Sequence, residues 1–284
     1  MNFILIGKGS ILFQIAKKIQ KNKYHSIKLI FWDKNDNNKN DKYYIENLKK
    51  SFKLIKIKNI NSKNNLKKLL NLSFDFILSI NNTQIFKKET LDFFPSKIIN
   101  YHFSLIPSYK GLYSCTKVIL RDEKYTGISW HYVTEEIDKG NIVFQKKLRV
   151  NKLDNAATLI IKLNKLCERS ISGFLKNLKI GVIKSIKNTK FKDFKLGVKA
   201  EKYSKISVNM TADKIINTFR AFSYSPFESP LPPVKIKIFS EYKVKRVTLL
   251  KKQKFLKNNI NKISKNRFII RSSDNKCLLI STFK

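Results

Sequence analysis

The sequence predicts an α/β protein, with a doubly wound N-terminal domain on a parallel sheet and a smaller β-rich module behind it. Three observations carry this. The chain opens strand–helix–strand: an apolar run at residues 2–6 ends at Gly7, apolar residues recur at helical spacing from Ile11 to Gln20, and a second run covers Ile27 to Trp32. Apolar strand-like runs then alternate with helical patterns, as in βαβ units. After about residue 180 the pattern changes to prolines and short β-like runs.

The elements follow in order. Residues 34–43 (KNDNNKNDKY) have no apolar period and read as a loop. Residues 58–72 read as a helix, Phe74–Ile80 as a buried strand, 84–93 as a helix closed off by Pro95, and Lys97–Ser104 as the next strand. Thr126–Val133 and Asn141–Val150 are two further strands. The link between them, Thr134–Gly140, is too short for a parallel crossover, so they are expected to pair antiparallel. Asn155–Leu178 is a long helix that Asn155 can cap. Lys187–Ser204 is basic and weakly patterned, and reads as a linker. Thr211–Phe222 is a helix with Thr211 as N-cap, followed by Pro226, Pro230, Pro232 and Pro233. Short β-like runs at 234–239, 244–250, 260–263, 267–271 and 277–282 complete the chain. The expected domains are residues 1–185 and 205–284.

The 284 residues include 21 Phe, 11 Tyr and 2 Trp, enough to bury a sizeable core and to argue against wholesale disorder. The formal net charge of +39 has two readings. One is attraction to a polyanion such as tRNA. The other is a lysine-loaded surface set by genome composition. The scarcity of Arg, the preferred group for bidentate phosphate contacts, favours the second. Cys115, Cys167 and Cys277 are odd in number, far apart and without a CxxC pair. They argue against a disulfide framework or zinc site and fit a reducing cytoplasm. The N-terminus lacks a basic n-region, and no apolar stretch approaches the roughly 20 residues that span a bilayer. No membrane partner is expected.

Gly7-Lys8-Gly9 stands where a dinucleotide fingerprint would, but Leu12 occupies the place of the third glycine. Asp33 lies near the position of a ribose-binding acid. The incomplete motif reads as a tight strand-to-helix turn rather than a nicotinamide site, and the turn can also touch part of an acceptor.

The chemically informative stretch is INYHFSLIPSYKG at 99–111. Asn100 and His102, two apart on a strand, point to the same face near its C-terminal end, where open parallel sheets place their sites. Asp138 precedes Lys139-Gly140 in a turn between strands, from which a carboxylate can reach back to an imidazole. Acyl transfer to an amine needs a donor for oxyanion charge, a base for the amine proton and an oriented imidazole. Asn100, His102 and Asp138 can supply these without a nucleophilic Ser or Cys. The alternative reading is a satisfied strand histidine and an ordinary hairpin turn.

The order Asn100, His102, Ser104, Leu105, Pro107, Gly111, Thr126, Gly127, Asp138, Gly140 resembles the folate-dependent formyltransferase family. The strict motif covers about residues 97–147. The resemblance implies a Rossmann-like formyltransferase domain using 10-formyltetrahydrofolate as co-substrate, with Asn100, His102 and Asp138 catalytic and Ser104, Leu105, Ile106 and Pro107 lining the folate site. Ile106 stands where Leu is usual, a volume-conserving change. No metal is implied.

The acceptor is less defined. Trp130-His131 resembles the amino-sugar and peptide-synthetase branches, and His131 the glycinamide ribonucleotide branch as well. Leu112-Tyr113-Ser114-Cys115-Thr116 departs from the small residues and proline usual after the glycine in methionyl-tRNA formyltransferases. The expected acceptor is therefore the amine of a small activated molecule, an amino-sugar nucleotide or aminoacyl group. Methionyl-tRNA is the alternative, and a formyl-folate hydrolase or a non-catalytic nucleic-acid binder stand further off. An isologous dimer through the C-terminal part is compatible with the sequence.

Overall fold

The computed structural model describes residues 1–34, 41–179, 196, 199–238, 240–250 and 259–283. Most of the expected linker at 187–204 lies outside these residues. Cα proximity divides the chain into two compact units. One comprises Met1–Gly111, Gly127–Leu148 and Lys162–Lys192; the other comprises Leu112–Thr126, Arg149–Ile161 and Asp193–Lys284.

The first unit is organised by a seven-stranded sheet. Its strands are β1 (Asn2–Gly7), β2 (Ser26–Asp33), β3 (Leu54–Ile57), β4 (Phe76–Ile80), β5 (Ile98–His102), β6 (Tyr125–Tyr132) and β7 (Ile142–Arg149). The spatial order is β3-β2-β1-β4-β5-β6-β7. The first five strands run parallel, and β6 lies antiparallel on β5. The Tyr132 N–H donates to the Asn141 carbonyl and the Val150 N–H to the Lys124 carbonyl, so β6 and β7 also pair antiparallel, as the short link required. Phe3, Ile4, Leu5 and Ile6 are fully buried, as a central strand covered on both faces demands.

Strand order reverses at β1 and β4, which makes a crevice at their C-terminal ends. Gly7 closes β1 there with φ +143°, and a Cβ at that position would lie 1.8 Å from the Ile80 carbonyl oxygen. Helix α1 (Gly9–Gln20) follows at once and buries Ile11, Leu12, Ile15, Ala16 and Ile19, the expected stripe.

Several elements differ from the sequence reading. Helix α2 (Asp41–Lys49) and β3 are additions: α2 is short and largely polar, and β3 has only four residues. The helix expected at 58–72 is confined to α3 (Lys63–Leu70), where the Ser62 hydroxyl accepts from the Asn65 N–H and sets the start. The helix expected at 84–93 begins only at Lys88 (α4, Lys88–Phe93), because the Gln84 amide is bonded to the carboxylate of Asp33 instead. A further short helix, α5 (Ser114–Leu120), had no periodic signal.

Helix α6 (Ala156–Lys179) is capped as expected. The Asn155 side chain accepts from the Thr158 N–H at 2.8 Å, and the Asn155 N–H donates to the Thr158 hydroxyl at 2.9 Å. Within the first unit its Phe174 stacks on Trp130 of β6, with centroids 4.3 Å apart and both rings fully buried.

The second unit carries short helix α7 (Ala200–Tyr203), helix α8 (Ala212–Ala221) and a six-stranded sheet. The sheet contains β8 (Lys205–Ile206), β9 (Lys235–Lys237), β10 (Glu241–Leu249), β11 (Ile260–Ser264), β12 (Arg267–Arg271) and β13 (Cys277–Thr282), in the order β11-β12-β13-β10-β9-β8. The β-rich C-terminal expectation therefore holds. Thr211 caps α8, and buried Arg220 donates to the carbonyls of Asn151 and Asp154. Among the described residues, no helix is long and apolar enough to cross a membrane.

Candidate active site

The site grows from the C-terminal end of β5. Asn100 and His102 fall on one face of that strand, as their spacing required. Register then sets their neighbours. Asn100 lies opposite Ser79 of β4 on one side and His131 of β6 on the other. The Ser79 hydroxyl donates to Asn100 Oδ1 at 2.8 Å, and Asn100 Nδ2 lies 3.3 Å from His131 Nε2. His131 Nδ1 lies 2.8 Å from the Tyr132 carbonyl oxygen, which can only accept. Nδ1 is therefore assigned a proton.

His102 is anchored the same way. Its Nε2 lies 3.1 Å from the Tyr109 carbonyl oxygen, and its Nδ1 faces Asp138 Oδ2 at 3.4 Å. The other carboxylate oxygen, Oδ1, lies 3.3 Å from His131 Nε2. The Gly111 N–H donates to Oδ2 at 2.7 Å. Asp138 thus stands between two imidazoles, with its own backbone in the left-handed region at φ 54°, which Asp tolerates better than most residues. Gly140 completes the turn, because a Cβ there would lie 1.8 Å from the Tyr132 carbonyl oxygen.

Asp138 and both imidazoles are largely buried. Burial by itself raises the pKa of the Asp138 carboxyl. The charge of His102, the hydrogen bond and charge of His131 and the Gly111 N–H outweigh it and hold the carboxyl well below the usual carboxylate range. The site therefore keeps a fixed negative charge at neutral pH in a poorly solvated place. Nearby, burial and the charge of Lys139 lower the pKa of Lys110.

The segment after β5 forms a tied turn. The Ser104 hydroxyl donates to the Ser108 carbonyl at 2.7 Å, and the Ser104 carbonyl accepts from the Ser129 hydroxyl at 2.6 Å. The Ile106 N–H donates to the Ser129 hydroxyl, and its carbonyl accepts from the Gln145 amide. Of the four residues expected at the folate site, Ser104 and Ile106 are buried within this turn, and Leu105 and Pro107 are partly exposed.

The structure thus brings Asn100, His102 and Asp138 together. It adds two residues to which sequence reasoning gave no role, Ser79 and His131. In the sequence His131 stands out only through its resemblance to other branches, and Ser79 carries no signal. The Asp33 carboxylate is occupied: the Thr83 N–H and hydroxyl donate to Oδ2, and the Gln84 amide donates to Oδ1. It serves as a loop staple, in keeping with a turn rather than a dinucleotide fingerprint. The three cysteines are buried thiols outside any disulfide, and burial pushes the Cys115 thiol up to about 12. Among the described residues, no group of His, Cys, Asp or Glu side chains is placed to hold a metal ion.

A doubly wound sheet that gathers Asn, His and Asp at one strand end defines a group-transfer class, and the comparisons narrow it. The formyl transferase family model matches residues 1–172, and the chain belongs to this family. The methionyl-tRNA formyltransferase of Thermodesulfovibrio yellowstonii is 31% identical over 157 residues, covering 55% of this chain and 51% of that protein. That of Buchnera aphidicola subsp. Acyrthosiphon pisum is 29% identical over 171 residues, covering 59% and 54%. The chain spans about half the length of these curated relatives.

Among solved structures, the sugar 3N-formyl transferase WlaRD, determined with dTDP and 5-N-formyl-THF, superimposes with a TM-score of 0.76 at 23% identity. The match covers 100% of this chain and 98% of that one. The N-formyltransferase of Helicobacter canadensis, in complex with folinic acid and dTDP-3-aminofucose, gives 0.75 at 22% identity, covering 99% of both chains. These likenesses establish the fold over both units.

Proposed function

We propose that this chain transfers the formyl group of 10-formyltetrahydrofolate to the primary amine of a small activated acceptor, an amino-sugar nucleotide or an aminoacyl group. The observation that carries the reading is the cluster at the end of β5: a side-chain amide held from both sides, beside two imidazoles that share one buried carboxylate.

In this reading the free N–H of Asn100 is the donor toward the carbonyl oxygen of the transferred group as charge develops there. His102, whose ring nitrogens face a carbonyl oxygen and a carboxylate, holds positive charge beside the group being transferred. Asp138 holds charge rather than protons, because a carboxyl so far below its usual range is a poor base at neutral pH. It orients His102 and balances the positive charge that His102 carries. Leu105 and Pro107, the partly exposed members of the turn, give apolar contact to the folate, while Ser104 and Ile106 hold the turn's shape. The family supports the donor: formyl-folate compounds accompany both sugar-transferase structures by their descriptions.

Support for a small, nucleotide-linked acceptor comes from the two solved transferases described with dTDP or a dTDP-linked amino sugar, whose fold this chain matches along nearly their whole length. Methionyl-tRNA is the second reading, favoured by the names of those relatives and by the net charge of +39.

Release of tetrahydrofolate from 10-formyltetrahydrofolate, followed with methionyl-tRNA, with a panel of amino-sugar nucleotides and with no acceptor, separates these readings. Release that requires an amino-sugar nucleotide is the expected result. Release only with methionyl-tRNA, steeply weakened by salt, establishes the second reading. Release without acceptor indicates a hydrolase, and no release with any acceptor overturns the proposal.

A further inference from the structure

We propose that Ser129 and Gln145 are positioning residues for formyl-folate: their side chains fix the backbone of the 104–107 turn, so that Leu105 and Pro107 keep the arrangement that receives the folate. The inference rests on the reading of this turn as part of the folate site.

Backbone groups that leave a sheet lose their ladder partners and must find others. Strand β5 ends at His102, which lies opposite Ser129 of β6. Beyond it, two side chains take over. The Ser129 hydroxyl donates to the Ser104 carbonyl at 2.6 Å and accepts from the Ile106 N–H at 3.0 Å. The Gln145 amide, on β7, donates from Nε2 to the Ile106 carbonyl at 2.8 Å and to the Ser129 hydroxyl at 2.7 Å.

The direction of each bond is forced by a group with only one role. The Ser104 carbonyl accepts and cannot donate, so it takes the single Ser129 proton. The Ile106 N–H donates and cannot accept, so it uses one Ser129 lone pair. The Ile106 carbonyl selects the nitrogen of Gln145, because the amide turned over would set two oxygens about as close together. The second Nε2 hydrogen then meets the remaining lone pair of Ser129. All three roles of this hydroxyl are used, at a residue that is fully buried. Ile106 is thus held at both its N–H and its C=O. Packing adds a further hold. A Cβ on Gly127 of β6 would lie 2.6 Å from Leu105 Cδ2, so the Leu105 side chain rests where only a glycine leaves room.

A surface held in shape before its ligand arrives binds more tightly than one that must be ordered on binding. The bonds of Gln145 go to Ile106 and Ser129 and not to Asn100, His102 or Asp138, which are held by Ser79, His131, the Tyr109 carbonyl and the Gly111 N–H. Loss of the Gln145 donor therefore acts on folate binding and spares the reacting groups.

Calorimetric titration with 5-N-formyl-tetrahydrofolate, at equal folded concentration of the full chain, tests this in Gln145→Glu and Gln145→Leu. The first nearly keeps the parent's shape and removes the donor; the second removes it without adding charge. Either decides alone should the other fail to fold. Both are expected to raise Kd about tenfold, the scale of one well-made hydrogen bond. In tetrahydrofolate release with the responding acceptor, KM for 10-formyltetrahydrofolate should rise likewise, with kcat and the acceptor KM within about twofold of the parent. A lower thermal midpoint with unchanged Kd marks a merely structural role and overturns the inference, as does a loss of kcat at unchanged KM. A parent that binds no formyl-folate removes the folate site itself, whereas a parent and variants that bind equally well overturn the positioning role alone.

Discussion

Two poorly exposed aspartates stand at strand ends of the same sheet, and their surroundings differ in kind. Asp33 closes β2 and is fully buried, and its carboxylate takes hydrogen bonds from the Thr83 N–H, the Thr83 hydroxyl and the Gln84 amide. These donors do not titrate, and they belong to the loop after β4. Asp138 sits in the turn between β6 and β7, where it meets one backbone N–H and two imidazoles. Both carboxylates are poorly exposed, but only the second is paired with imidazole rings. The partners, rather than the burial, separate a staple from the proposed reactive site.

The largest effect expected from breaking this contrast is on turnover. Asp138→Asn should lower kcat by about a hundredfold or more, the scale of a lost electrostatic stabiliser, with His102 left without its countercharge. Steady-state kinetics with the responding acceptor checks it.

The next effect is on stability, at Asp33. Replacing it with Asn leaves at least one donor of the Thr83–Gln84 loop without its acceptor, at a cost of about 1–3 kcal/mol, visible as a lower denaturation midpoint. The kcat of Asp33→Asn should stay within about twofold of the parent, since this carboxylate touches none of the proposed reacting groups.

A smaller effect sharpens the comparison through pH. The folded-state pKa of Asp138 is depressed, so the stability it lends is fully present above its unfolded value of about 3.9 and is lost as pH falls through the folded value. The difference in thermal midpoint between parent and Asp138→Asn should therefore shrink as pH falls below about 4. A difference that stays undiminished below about pH 4 would contradict this assignment of charge.

Much of this site is visible in the linear sequence because its rules are local. Asn100 and His102 share a face by the period of a strand, and Asp138 falls in a link too short to be anything but a tight turn. Caps at Asn155 and Thr211 are local too, and both hold. Ser79 and His131 are different. Their place beside Asn100 depends on which residue of β4 and β6 falls opposite it, a matter of register over 21 and 31 residues of chain. The helix expected from residue 84 fails for the same reason: Gln84 is drawn away by Asp33, 51 residues earlier. Helix α2 and strand β3 are missed because neither is long enough to show a period.

The central claim is that the cluster around Asp138 performs formyl transfer and the one around Asp33 does not. Acceptor-dependent release of tetrahydrofolate, measured side by side for the parent, Asp33→Asn and Asp138→Asn at equal folded concentration, tests it most directly. The account predicts near-equal release by the parent and Asp33→Asn and a collapse in Asp138→Asn. Undiminished release by Asp138→Asn would contradict it.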